Sequence, residues 1–289
     1  MLVRLRAVAA NPLDLWVAEG SVAGGSQPLP FVLGTEGVGV VGDRRVVVNG
    51  SGLGTTRDGL LREAAAVPSE LLVDVPNAVD DDQAAALSVA GITAKRILEV
   101  ANVEAGAIVV VLGASGGVGS VAVQVARLLS ARVVAVTGSA DKRGWLEGLE
   151  PDLVLAGSEA PEPKALTQTF GRLADTVLNP LGGEFVGSSV DLLVAGGRQV
   201  LFGRSAGDAA SFSAAALYRK NVSILGYGGL DDAPDRKHAA RAWIFEQIAA
   251  GRLAIPVEAR VPLERVGEAF DLIRSRAVRG KVIVRIHEP

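Results

Sequence analysis

Apolar and polar positions along the chain follow two rhythms. Residues 2–9 alternate apolar and basic side chains, the period-two pattern of a strand with one buried face. Asn11, Pro12, Leu13 and Asp14 then read as a turn. Short apolar runs at 38–41 and 45–48, separated by Gly42 and Asp43, predict two more strands joined by a tight turn, and the Gly- and Thr-rich stretch 50–59 predicts a loop. The chain straightens again over 67–76. Asp80 opens a helix, with Gln83 three residues on as its capping-box partner.

From Gly91 the rhythm changes. Residues 108–112, I-V-V-V-L, suit a parallel strand covered on both faces. Gly116, Gly117 and Gly119 follow, and Val118, Val121, Ala122, Val125 and Leu129 share one face of the next helix. Apolar runs at 132–137, 153–155, 175–178, 199–202 and 222–225 come next, with helical segments between most of them. That alternation predicts a doubly wound parallel sheet, an α/β fold. Beyond Tyr227 lie a polar turn at 231–235, a helix over 236–250, a helix begun by Pro262 and a last strand over 281–286. The two ends resemble each other more than the middle. They predict a discontinuous domain, 1–90 with 229–289, around an inserted nucleotide domain, 91–228.

The strand, glycine turn and helix at 107–120 carry the densest chemical signal. Glycines at such a junction let the backbone approach a pyrophosphate, and the amides and dipole at the helix start stabilise its charge. The usual fingerprint has a glycine where this chain has Ala114, which requires only that the backbone there avoid positive φ.

Composition narrows the picture. The chain has 289 residues, enough for two domains, and 49% are hydrophobic. Lys and Arg total 29 against 32 Asp and Glu, a balance without the basic excess of a nucleic-acid binder. No apolar run reaches membrane-spanning length, the first residues lack a signal-peptide core, and the expected location is cytoplasmic. Cys is absent, which removes disulfides and thiolate zinc sites, and His238 and His287 sit in polar surroundings as solvated surface residues. The run Asp80, Asp81, Asp82 reads as helix capping and dipole compensation.

Several motifs in order, A-N-P-L-D-L, L-P-F-V-L-G-T-E-G-V-G-V-V, A-G-I-T-A, A-S-G-G-V-G-S-V-A-V-Q-V-A-R, G-S-A-D-K-R, A-G-G-R-Q-V-L-F-G and V-R-G-K-V-I-V, resemble the medium-chain dehydrogenase/reductase superfamily, in its zinc-free quinone oxidoreductase and enoyl reductase branch. The resemblance implies a Rossmann domain inserted in a smaller, discontinuous, β-rich GroES-like catalytic domain, with the active site in a cleft between them. Against that pattern the opening hairpin is expected to be absent, the start being either truncated or that of a natural minimal form, and the connection between Val41 and Arg45 is short.

The second strand of the nucleotide domain ends without the acid that takes the ribose hydroxyls in NAD-binding folds. Ser139, Lys142 and Arg143 follow, a hydroxyl and two cations suited to a 2′-phosphate, and the expected cofactor is NADPH. Asp141 is either a displaced ribose acid or a helix cap, and Lys142 and Arg143 have the alternative of a solvated helix face. The resemblance further implies that Ala114, Ser115, Gly116, Gly117, Val118 and Gly119 bind the cofactor. Lys281 is expected to bind it too, and the Phe202-Gly203-Arg204 turn, with Phe202 and Gly203 as contacts, ends a parallel strand on the cofactor side of the sheet, where its backbone would meet the nicotinamide amide. It puts Asn11, Asp14 and Thr93 on the nicotinamide side of the cleft as catalytic residues, where the alternatives are an Asx turn for the first two and a helix hydroxyl for the third. Tyr218 and Tyr227 are expected as packing residues, and Trp16 and Trp243 as core or cleft wall.

These readings converge on an NADPH-dependent, zinc-free oxidoreductase that passes hydride to a quinone or an α,β-unsaturated carbonyl. Such a reduction needs donors for a developing oxyanion rather than a metal, with α-carbon protonation mainly from water. The alternative is a non-catalytic NADPH-binding sensor or interaction protein. The run at 222–225, apolar on both faces and last in its sheet, predicts an edge that pairs in a homodimer. Substrate identity rests on the loops 20–27 and 50–59 and is not legible.

Overall fold

The computed structural model describes residues 1–22, 25–229 and 232–286. Asp231 in the expected polar turn, His287 and part of the loop 20–27 lie outside these described residues. The chain divides into two compact units, Met1–Ile92 with His238–Pro289, and Thr93–Lys237. Among the described residues no helix is long and apolar enough to cross a membrane.

The chain runs β1 (Leu2–Ala10), α1 (Pro12–Ala18), β2 (Glu36–Val41), β3 (Arg44–Asn49), β4 (Ala64–Ala66), β5 (Leu72–Asp74) and α2 (Asp81–Ala86). A π-turn, Leu87–Gly91, leads into α3 (Ile92–Val100). Then come β6 (Ile108–Val111), α4 (Gly117–Leu128), β7 (Arg132–Thr137), α5 (Arg143–Glu147), β8 (Leu153–Ala156), α6 (Pro163–Phe170) and β9 (Ala174–Asn179). After α7 (Phe185–Asp191) the order is β10 (Leu193–Leu201), α8 (Ala214–Lys220), β11 (Ser223–Gly226), α9 (Pro234–Ala249), β12 (Val257–Pro262), α10 (Val266–Ser275) and β13 (Lys281–Arg285).

In the discontinuous unit the strand order is β12-β13-β1-β2-β3-β5, with β4 also on β1. Among the described strands of this sheet, only the β12–β13 pair is parallel. The alternation in β1 does what its pattern requires, since Val3 and Leu5 enter the core with Val46, Val48, Val282 and Val284. The contiguous unit is a parallel sheet of order β11-β10-β9-β6-β7-β8, and its core is built from Ile108, Val110, Val134, Val177 and Leu193. Starting from β6, the chain builds outward to β8 on one side and from β9 to β11 on the other. The topological switch therefore falls between β6 and β9, where open α/β sheets present their ligand crevice at the carboxyl ends of the strands.

Local expectations and structure differ in four places. Asn11 to Asp14 is a helix start rather than a turn, because Pro12 sits at the first helical position, where its missing N–H costs nothing, and the Asp14 carboxylate takes the Asn11 N–H at 2.8 Å. Asp80 does cap α2, accepting from the Gln83 N–H at 2.8 Å, but the Gln83 side chain does not close a capping box. Its amide instead donates to the Ile255 carbonyl at 2.9 Å and accepts from the Ile255 N–H at 2.7 Å. The strand β12 is not predicted by the pattern, and Pro262 at its end caps the 3-10 turn Leu263–Arg265 that leads into α10, as the expected helix start. Tyr218 is 65% exposed rather than packed in a core, whereas Tyr227 is half-buried and donates its hydroxyl to Asp232. Trp16 and Trp243 are both partly buried.

Candidate functional site

The two units hold their candidate groups separately. In the contiguous unit, β6 runs into Gly113, whose φ of +61° is open to glycine at little cost and swings the chain out of the sheet. Ala114 follows with no positive φ, buried, its N–H on the Val136 carbonyl at 2.8 Å. Gly116 caps α4, and Ser120 N–H reaches back to its carbonyl at 2.9 Å. A Cβ on Gly119 would stand 2.3 Å from the Gly113 carbonyl oxygen, so this position admits glycine alone and draws the helix start tightly onto the strand end. The first turn of α4 leaves amide donors its own helix cannot pair. This cradle fits the pyrophosphate of a dinucleotide. Ser115 exchanges a hydrogen bond with Thr137 at 3.2 Å, fixing the glycine turn to the end of β7.

The groups beyond β7 are arranged less simply than their sequence suggests. Lys142 is only 6% exposed, at the end of the 3-10 turn Ala140–Lys142. Arg143 is exposed and pairs with Glu147 at 3.1 Å, and the Ser139 hydroxyl donates to Asp141. Asp141 thus engages Ser139, and only Arg143 of the two cations stands on a solvated helix face. On the other side of the switch, Phe202 N–H binds the Asn179 carbonyl at 3.1 Å, and Gly203 lies against Pro180. Thr93 is the second residue of α3, partly exposed, directly after the π-turn.

In the discontinuous unit, Asn11, Asp14 and Lys281 come together, and with them a residue the sequence pattern does not single out, Glu36. The register explains why. Ala9 pairs with Ile283 and Ala10 with Val282, so Lys281 arrives opposite Asn11 at the end of β1, while β2 brings Glu36 alongside. The Lys281 ammonium donates to Asn11 Oδ1 at 2.6 Å and to Glu36 Oε1 at 3.0 Å. Asn11 Nδ2 donates to Glu36 Oε1 at 3.1 Å and to the Ala9 carbonyl at 3.0 Å. The second Glu36 oxygen takes the Val89 N–H from the π-turn at 2.6 Å. Glu36 is 0% exposed and Lys281 5%, so this is a buried ion pair whose charged atoms are each held by further hydrogen-bond partners in the cluster. Lys281, expected as a cofactor contact, has its ammonium committed to this cluster.

Asp14 lies beside it, fully buried, accepting from Asn11 N–H at 2.8 Å and Gly34 N–H at 3.2 Å. Burial pushes its carboxyl up to about 7, against the two amide donors and the Lys281 charge, which favour the ionised form. Its proton is therefore held up to near neutrality. A second cluster in the contiguous unit joins Arg96 to both oxygens of Asp232, at 2.7 and 3.1 Å, with Tyr227 on the same carboxylate. The Arg96 guanidinium holds Asp232 below the usual carboxylate range, while burial and that carboxylate push the Tyr227 phenol up.

Comparison with known proteins agrees with the topology. The family model described as zinc-binding dehydrogenase matches residues 117–245. A phenolphthiocerol/phthiocerol polyketide synthase protein of Mycobacterium tuberculosis is 32% identical over 98% of this chain, and the chain spans 13% of that protein's length. Acryloyl-coenzyme A reductase of Metallosphaera sedula is 32% identical over 78% of this chain and 65% of its own. The structure of a quinone oxidoreductase from Thermus thermophilus, solved alone and with NADPH, superposes with a TM-score of 0.85 at 30% identity, covering 99% of this chain and 91% of that one. The parallel sheet with its glycine turn, the mixed sheet beside it in sequence and these likenesses place the chain in the medium-chain dehydrogenase/reductase superfamily, in its quinone oxidoreductase and enoyl reductase branch.

Proposed function

We propose that the protein is an NADPH-dependent reductase of quinones or α,β-unsaturated carbonyl compounds that works without zinc. The observation that carries the reading is the cradle between β6 and α4, where Gly119 allows the helix start to close on the strand end. A quinone oxidoreductase with an NADPH complex and an acryloyl-coenzyme A reductase among the relatives support the reaction class. The lack of Cys supports the zinc-free part.

In this reading the contiguous unit is the NADPH domain and the discontinuous unit the catalytic domain. Ser115 to Gly119 hold the pyrophosphate through backbone amides, Ser139, Lys142 and Arg143 take the 2′-phosphate, and the backbone at Phe202 and Gly203 meets the nicotinamide amide. When bound, NADPH supplies the hydride. Asn11, Asp14 and Thr93 orient the substrate, and Asp14 retains its carboxyl proton up to about pH 7. Water protonates the α-carbon, so substrate positioning carries the rate. The edge strand β11, half-covered at Ile224 and Leu225, pairs with that of a second copy.

NADPH consumption against a panel of quinones and enones, with binding measured in parallel, tests the reading. Turnover with at least tenfold tighter binding of NADPH than NADH is expected. Tight binding with no turnover on any member would favour a sensor, and activity that chelators abolish would remove the zinc-free part. Size-exclusion with light scattering should give a dimer at micromolar concentration, and a monomer would refute the pairing.

A further inference from the structure

The crevice between the ends of β6 and β9 has two lips. One is the glycine turn. The other, residues 180–183 after β9, contains no side chain that the dinucleotide pattern names, yet it lies against both expected cofactor turns. A Cβ on Gly113 would meet the Pro180 ring at 3.0 Å, and one on Gly203 would meet the Pro180 carbonyl oxygen at 2.5 Å. Ser205 N–H and Ala206 N–H bind the Pro180 and Leu181 carbonyls at 3.3 and 2.7 Å. Any shift of Pro180 is therefore passed to the glycine turn on one side and to the Gly203 turn on the other.

What holds this lip is a buried chain of amides. Asn179 Oδ1 accepts from the Leu181 N–H at 2.8 Å and the Gly182 N–H at 3.1 Å. Its Nδ2 donates to Gln199 Oε1 at 3.0 Å, and Gln199 Nε2 donates to the Val186 carbonyl at 2.9 Å. Both side chains are 0% exposed. Leaving any of these groups unpaired in the interior would carry a desolvation penalty, which makes the arrangement a single state rather than one of several. The positions follow from the sheet, since Asn179 is the last residue of β9 and pairs with Leu201, two residues on from Gln199 on β10.

We infer that Asn179, supported by Gln199, is a positioning residue for dinucleotide binding: its amide sets the 180–183 turn as the second lip of the crevice. The inference rests on the proposed cofactor site and deepens it. A protonated aspartic acid reproduces the Asn179 amide, one oxygen accepting and one O–H donating, whereas an ionised one cannot donate to Gln199.

The test measures NADP⁺ dissociation constants for the full chain, as ratios to wild type at pH 6 and pH 8. Asn179→Ala should bind at least tenfold more weakly at both. Asn179→Asp should be similarly weak at pH 8 and return to within threefold of wild type at pH 6. Alanine binding within twofold of wild type, or an aspartate variant with no recovery at pH 6, would overturn the inference. If Asn179→Ala does not fold, the two pH values for Asn179→Asp decide it. A wild-type chain that binds no dinucleotide would sink the cofactor reading itself, a failure visible before any variant is compared.

Discussion

The contiguous unit offers backbone and the discontinuous unit offers side chains. The cradle at Gly113 to Gly119 depends on the absence of Cβ atoms and on amides left over at a helix start, all within seven consecutive residues. The cluster at Asn11, Glu36 and Lys281 depends on buried charge, and its members lie 25 to 270 residues apart. A backbone site tolerates change in its neighbours so long as the glycines remain. A buried ionic site depends on every member at once, because removing one partner strands the charge of the other.

The largest effect on dinucleotide binding should come from Gly119→Val. Its side chain would overlap the Gly113 carbonyl, with a Cβ only 2.3 Å away, so dinucleotide binding should be lost and stability should fall by about 1–3 kcal/mol through overpacking. Calorimetric titration with NADPH and urea denaturation measure the two effects, and retained binding would mean that the cradle is not the site.

The buried pair is tested by Lys281→Met, which leaves the Glu36 carboxylate at 0% exposure with only neutral donors. A loss of about 3–5 kcal/mol in urea denaturation is expected, and Glu36→Gln in the same chain should recover part of it. Strict additivity of the two changes would show that the groups do not interact.

A pH-dependent effect belongs to Asp14. Because its folded pKa of about 7 lies above the ordinary carboxylate range, the folded state holds a proton that the unfolded chain releases. Below about pH 4 both states are protonated and there is no penalty. Between there and pH 7 stability falls as pH rises, by at most about 1.4 kcal/mol per unit, and above pH 7 the loss is complete. Relative to Asp14→Asn, wild type should therefore lose ground across that window. A constant difference in urea midpoints from pH 4 to pH 7 would contradict the assignment.

The smallest change expected is from Arg143→Ala, since that guanidinium is exposed and already paired with Glu147. NADPH affinity should fall only a few-fold, about 1 kcal/mol or less, with NADH unchanged. A large loss would make Arg143 rather than the buried Lys142 the main phosphate ligand.

The same contrast explains what is legible in the sequence. The glycine turn is local, so spacing and flanking periodicity reveal it. Glu36 escapes notice although its signal is present, a single acid at the head of E-G-V-G-V-V, because its meaning depends on a lysine 245 residues away. That pairing is a matter of strand register, which local pattern does not set. The strand β12, V-E-A-R-V-P, is hidden because it is an edge strand with its charged residues exposed and reads as a polar connection. The Gln83 side chain misleads because a partner in the distant segment at Ile255 outcompetes the local cap. Lys142 and Arg143 look equivalent in sequence, while the turn that carries them folds the lysine inward and leaves the arginine in solvent.

The pairing of β1 with β13 also sets an order of events as the chain is made. Residues 93–237 are continuous and emerge together, so the parallel sheet can form during synthesis. The first strands, made earliest, lack β13 until residues 281–285 have emerged, and Glu36 then has no lysine to balance it. Closing contacts across 270 residues makes this unit the slower to complete, and a chain stopped before Lys281 would carry a finished parallel sheet and an open mixed one.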